Sequence, residues 1–174
     1  FIGSLAPILV MVGCTPPPPP GDEGRREASA PAVPPLVRPA PRQAIRTSWT
    51  FNTGEDECAA VAAAAGTSLA VTVRRDMPIR LVVSMAAPAH GPSSVPLRFT
   101  GPAGAWQVAA HRTTARQISV VLGSDETALS HVLVLLSGGV LEAGPPAQPM
   151  VSLVISSSDA QGQAWFDCAR RKML

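Results

Sequence analysis

Residues 68–83 read Ser-Leu-Ala-Val-Thr-Val-Arg-Arg-Asp-Met-Pro-Ile-Arg-Leu-Val-Val. Leu69, Val71 and Val73 alternate with Ala70 and Thr72, and a period of two puts one apolar set on one face of a strand. Ile79 to Val83 begins a second apolar run directly after Pro78. On this reading Arg74 and Arg75 direct one guanidinium to each face.

The same texture extends in both directions. Toward the N-terminus, Thr47-Ser48-Trp49-Thr50-Phe51 alternates, and Asn52-Thr53-Gly54 supplies turn chemistry. Toward the C-terminus, Val95–Thr100, Ala105–Ala110, Gln117–Leu122, Val151–Ser156 and Gln163–Cys168 are further strand candidates, the last two joined by a polar turn over 157–162. Short strands separated by Gly, Pro and Ser predict a mainly β fold, an antiparallel β-sandwich or small barrel.

One helix interrupts the pattern, over about 125–137. Ser124 is placed as its N-cap, Asp125 and Glu126 suit the positive end of the dipole, and Gly138 suits the C-terminal cap. Ala128, Leu129, Val132, Leu135 and Leu136 form its apolar stripe. Residues 58–65, Cys-Ala-Ala-Val-Ala-Ala-Ala-Ala, fit either structure. Alanine favours helix, whereas the β pattern on both sides and Gly66-Thr67 at a hairpin position favour strand, which is the reading adopted.

Proline divides the chain. Eleven of the 19 prolines fall in residues 1–48. Residues 1–13, FIGSLAPILVMVG, carry no charge and are too short for the ~20 residues of a membrane span, but they fit the apolar core of a secretory signal that lacks its start. Pro16 to Pro20 favour an extended polyproline helix, and the Ala/Pro/Arg/Glu residues up to 44 have no apolar period. The expected organisation is a truncated signal at 1–13, a disordered proline-rich linker at 14–44 and a single β-rich domain at 45–174. A Pro-x-x-Pro ligand for an SH3-like groove is the alternative use of the linker.

Charge and composition exclude several classes. With 15% charged residues and a net charge of +2, the chain lacks the concentrated basic footprint of a nucleic-acid binder. His90, His111 and His131 show no metal-ligand spacing, and no His-Glu-x-x-His, Gly-x-Ser-x-Gly or Ser-x-x-Lys motif occurs. Lys172 is the only lysine, which removes a P-loop. Glu55-Asp56-Glu57 lacks the alternation of a calcium loop and reads as a solvated turn, and Arg170-Arg171-Lys172 reads as a solvated tail beyond a last strand. No catalytic residue, metal or cofactor is expected, and a hydrolase assembled from distant Ser, His and Asp is carried as a minor alternative.

Apart from Cys14 the cysteines are Cys58 and Cys168. An even pair in an exported domain is most simply a disulfide stapling the two ends of the domain. If the closing segment is a strand, Ala164, Phe166 and Cys168 share one face, so Phe166 packs near the bridge. Trp165 then lies on the other face, in the core or as a contact residue.

Met11-Val12-Gly13-Cys14 resembles a bacterial lipobox, with Met11 in place of the usual Leu. The resemblance implies lipidation at Cys14, and Thr15 where retention at the inner membrane would show Asp implies the outer membrane, facing the periplasm. With its proline stalk and two-cysteine β domain the chain resembles a small proteobacterial envelope lipoprotein. Trp49 with Cys58, Asp125-Glu126 with Ala128-Leu129, and Gly138-Gly139-Val140-Leu141 are similar to the invasion-associated locus B family. No functional residue carries over from it. The functional expectation is a lipid-anchored, non-enzymatic binding or structural domain whose partners are the membrane and an envelope protein or glycan. A periplasmic inhibitor or ligand-binding module is the alternative.

Overall fold

The computed structural model describes residues 45–173. The signal-like run 1–13, Cys14 and the proline-rich segment to 44 lie outside the described residues.

The alternation at 68–83 becomes β4 (Thr67–Arg74) and β5 (Ile79–Ser84), each buried at every second position. The alanine-rich segment is a strand as well, β3 (Glu57–Ala64), paired with β2 (Ser48–Thr53) on one side and β4 on the other. Ladders on both flanks outweigh alanine's helical preference. Ala64 lies opposite Thr67, so Ala65 and Gly66 form a two-residue loop with φ of 48° and 74°, the left-handed pair that a tight hairpin needs. The expected turn at 52–54 falls slightly later, because Asn52 and Thr53 extend β2 and the Gly54 N–H donates to the Glu57 carbonyl at 2.8 Å. Arg74 does not share the two faces with Arg75. It pairs with Glu57 across the β3–β4 ladder, whereas Arg75 sits in the following turn.

Strands β6 (Ser94–Gly101), β7 (Gly104–Thr114) and β8 (Gln117–Gly123) form a meander, and β9 (Gly139–Ala143) and β10 (Val151–Ile155) follow. With the short β1 (Ile45–Arg46) they make one sheet in the order β1-β10-β9-β6-β7-β8-β5-β4-β3-β2. Every pairing is antiparallel except that of β1 on β10. Only Thr47 separates β1 from β2, yet these two hold opposite edges of the sheet. A single stretch of chain therefore touches both edges and draws them together, and the mainly β fold is a nearly closed barrel. Thr47 is buried at the junction. Its N–H and hydroxyl both donate to the Val154 carbonyl, at 2.9 and 3.2 Å, and its own carbonyl accepts from Ser156 Oγ at 2.7 Å.

The expected helix is α1 (Glu126–Leu136), with Ala128, Val132, Leu135 and Leu136 buried. Its N-cap is Asp125, not Ser124: the Asp125 carboxylate accepts from the Ala128 N–H at 2.8 Å.

The segment read as a closing strand, 163–168, is instead helical, within α2 (Ala160–Met173). Gly162, Trp165, Cys168 and Ala169 are its buried residues, at helical spacings of three, three and one. Arg170, Arg171 and Lys172 are therefore the last turn of a helix, where cations complement the negative dipole end. Lys172 Nζ also donates to the Glu55 carbonyl. The face assignment changes with the period. Trp165 lies on the side of Cys168 and is fully buried, which removes it as a contact residue, while Phe166 turns away from the bridge and is only half-buried.

The inner sheet face carries the core, from Leu69, Val71 and Val73 on β4 through Phe99 on β6 to Leu153 on β10. Helix α2 packs against β2, β3 and β4. There Trp165 is fully buried beside Phe51 of β2, ring centroids 6.5 Å apart. On the far side Trp106 stacks on Phe99 with centroids 5.7 Å apart and donates through Nε1 to the His131 carbonyl of α1 at 3.0 Å.

Candidate functional site

The expected disulfide is present. Cys58 Sγ and Cys168 Sγ are 2.01 Å apart, bridging β3 to α2 across 110 residues, with both cysteines buried. It is a staple within the core and offers no reactive thiol. The histidines lie on three different elements: His90 in the loop after β5, His111 on β7 and His131 on α1. Among the described residues no three His, Cys, Asp or Glu side chains gather as metal ligands would. Lipidation at Cys14 concerns a residue outside those described.

What the sequence did not single out is the corner where α1, α2 and the β2 edge meet. After β10 the chain runs through Ser156, Ser157, Ser158 and Asp159 into α2. The Ser158 N–H donates to the Leu136 carbonyl at 2.8 Å, tying this turn to the end of α1. Asp159 caps α2 by accepting the Gln161 N–H at 2.9 Å. Gly162 permits the close approach: a Cβ there would lie 2.3 Å from the Ser158 side chain and 3.2 Å from Phe51.

Two crevices open on this corner and share Ser158 and Asp159 as a common lip. One, of about 260 Å³, is walled by Trp49 and Phe51, whose rings stack with centroids 5.4 Å apart and 16° between planes. Trp49 is held there by its Nε1, which donates to the Ser156 carbonyl at 2.7 Å. Ser48, Ser156, Ser157, Asp159 and Gln161 supply exposed polar groups, and the buried Thr47 and half-buried Ser158 complete its polar lining. The other, of about 460 Å³, runs between the helices and is walled by Ala103, Leu133, Val134, Leu136 and Phe166, with Ser130, Ser137 and Gln163 interspersed.

The groove exists because the apolar residues of α1 extend beyond its buried stripe, although Glu126, Thr127 and Ser130 keep an exposed polar side. Here Ala128, Val132, Leu135 and Leu136 use the core, which leaves Leu133 48% exposed and Val134 half-buried. Neither crevice is lined by an arginine or lysine, and Asp159 is the one carboxylate on both. The corner therefore combines an aromatic wall, hydroxyl and amide groups, and an apolar trough.

No family model, curated protein or solved structure matches the chain. The corner is accordingly interpreted from its own chemistry.

Two other depressions have less to offer. One of about 280 Å³ lies on the outer sheet face, where Thr72, Arg80 and Val121 stand in one cross-strand row. One of about 430 Å³ lies between the loops carrying Pro88–Pro92 and Pro145–Met150. Arg112 braces that loop by donating to the carbonyls of Ala89, at 3.1 Å, and Gly91.

Proposed function

We propose that this is a lipid-anchored bacterial envelope protein, held in the outer membrane facing the periplasm, whose barrel domain binds another envelope component and catalyses no reaction. The observation that carries the binding reading is the exposed apolar trough between α1 and α2, with Leu133 and Phe166 on its walls. Contiguous exposed apolar surface is where soluble domains meet partners or ligands. Two features support this compartment. A buried Cys58–Cys168 disulfide suits an oxidising space beyond the inner membrane, and an apolar run ending at Cys14 suits export and acylation. The proline-rich residues after Cys14 would hold the domain off the bilayer.

The anchor is tested by growing cells that express the native precursor with an alkyne-bearing fatty acid, comparing wild type with Cys14→Ser. The wild type should take up the label and sediment with membranes, and the variant should do neither. An unlabelled wild-type protein sinks the anchor.

A further inference from the structure

We propose that the helix corner binds an uncharged glycolipid-type amphiphile, with its sugar in the Trp49/Phe51 crevice and its acyl chain in the α1–α2 trough. This rests on the reading of the barrel as a binding domain and names its ligand class.

The two crevices are complementary halves of one site. At about 260 Å³ the aromatic crevice alone is smaller than the roughly 300–1,000 Å³ of ordinary ligand pockets, whereas joined to the 460 Å³ trough it falls within that range. Their shared lip, Ser158 and Asp159, lets one molecule enter both. A sugar presents C–H faces and a rim of hydroxyls. Trp49 and Phe51, both lining the crevice, offer apolar aromatic contact for the first, and Asp159, Ser157 and Gln161 offer hydrogen-bonding groups for the second. The trough offers an alkyl chain Leu133, Val134, Leu136 and Phe166, with Ser130, Ser137 and Gln163 beside them and Asp159 at the lip as its one charged residue.

Charge selects against the common anionic lipids. Phosphate recognition relies on arginine, lysine or free N–H groups at a helix N-terminus. Both linings lack Arg and Lys, and the α2 N-terminus is already capped by the chain's own Asp159. A phosphate at this lip would face that carboxylate with no countercharge.

The test uses the full chain with Cys14→Ser and n-octyl β-D-glucoside below its micelle-forming concentration, followed by tryptophan emission. Of the three tryptophans, Trp165 and Trp106 are buried and Trp49 lines the crevice, so Trp49 is the reporter. Saturable binding at least about tenfold tighter than that of octanol, glucose or octyl phosphate is expected. Leu133→Glu, at an exposed position, should weaken glucoside binding by about tenfold with unchanged circular dichroism. Asp159→Asn keeps the cap but removes the charge, so octyl phosphate should gain affinity while the glucoside changes little. Octanol binding as tightly as the glucoside, octyl phosphate binding tighter, or a glucoside response untouched by Leu133→Glu overturns the proposal. Glucoside binding lost while Cys14 is acylated removes only this ligand class, and glucoside binding with unmodified Cys14 removes only the anchor.

Discussion

Ala65 occupies a backbone region that suits other residues better. At φ 48° it is one of two non-glycine residues with positive φ among those described, and it is the first loop position of the β3–β4 hairpin. A left-handed alanine costs ~1–2 kcal/mol, a penalty that asparagine largely escapes. Ala65→Asn should therefore raise stability by about 1 kcal/mol, seen as a higher urea midpoint with an unchanged slope. Trp165 tests the opposite direction. Its indole packs beside Phe51 and is fully buried, so Trp165→Ala should cost about 3–5 kcal/mol. A loss below 1 kcal/mol would mean that the indole is not a core group. Both residues show where reading by residue type stops. An Ala-Gly pair announces its turn only weakly, and the burial of Trp165 follows from a helical period that the sequence can also be read without.

At the scale of elements, legibility followed the strength of each period. Strand β4 alternates cleanly, β5 and β8 carry short apolar runs, and all three are legible close to their observed bounds. Helix α1 is legible through its stripe, yet its start is ambiguous by one residue, since Ser124 and Asp125 are equally good caps in composition. Geometry separates them: only the Asp125 carboxylate reaches the Ala128 N–H. Asp125→Ala should cost about 1 kcal/mol and Ser124→Ala close to nothing, measured by thermal unfolding. Helix α2 reads as a strand in sequence because Ala164-Trp165-Phe166-Asp167-Cys168 satisfies a period of two over a length too short to arbitrate. The helical signals were the Gly162–Trp165–Cys168 spacing, Asp159 as a cap and three cations in the last turn. The candidate site was hidden for the same reason, since its trough exists only once 160–173 is helical and stands beside α1.

Closure belongs to the whole molecule, and it left the least trace in sequence. Pairings such as β5 with β8 and β6 with β9 join segments far apart in the chain, so sandwich and barrel stay indistinguishable until register is known. The β2 edge is tied down twice. Thr47 joins it to β10 through the Val154 carbonyl, and Cys58–Cys168 ties the neighbouring β3 to α2. If these two ties share the task of holding one flap of β2, β3 and α2, removing the disulfide should loosen that flap and leave the meander alone. A Cys58→Ser/Cys168→Ser protein should lose about 2–4 kcal/mol, in line with the entropy released by opening a long loop. Hydrogen exchange locates the effect. Amides of Ser48–Thr53, Glu57–Ala64 and α2 should lose protection well before those of Ser94–Gly101 and Gly104–Thr114. Adding Thr47→Pro, which deletes the N–H donated to Val154, should cost more in the disulfide-free protein than in the native one, because the first tie is then the only one left. Uniform loss of protection across all strands would show instead that the barrel opens as one unit, with neither tie specific to its edge.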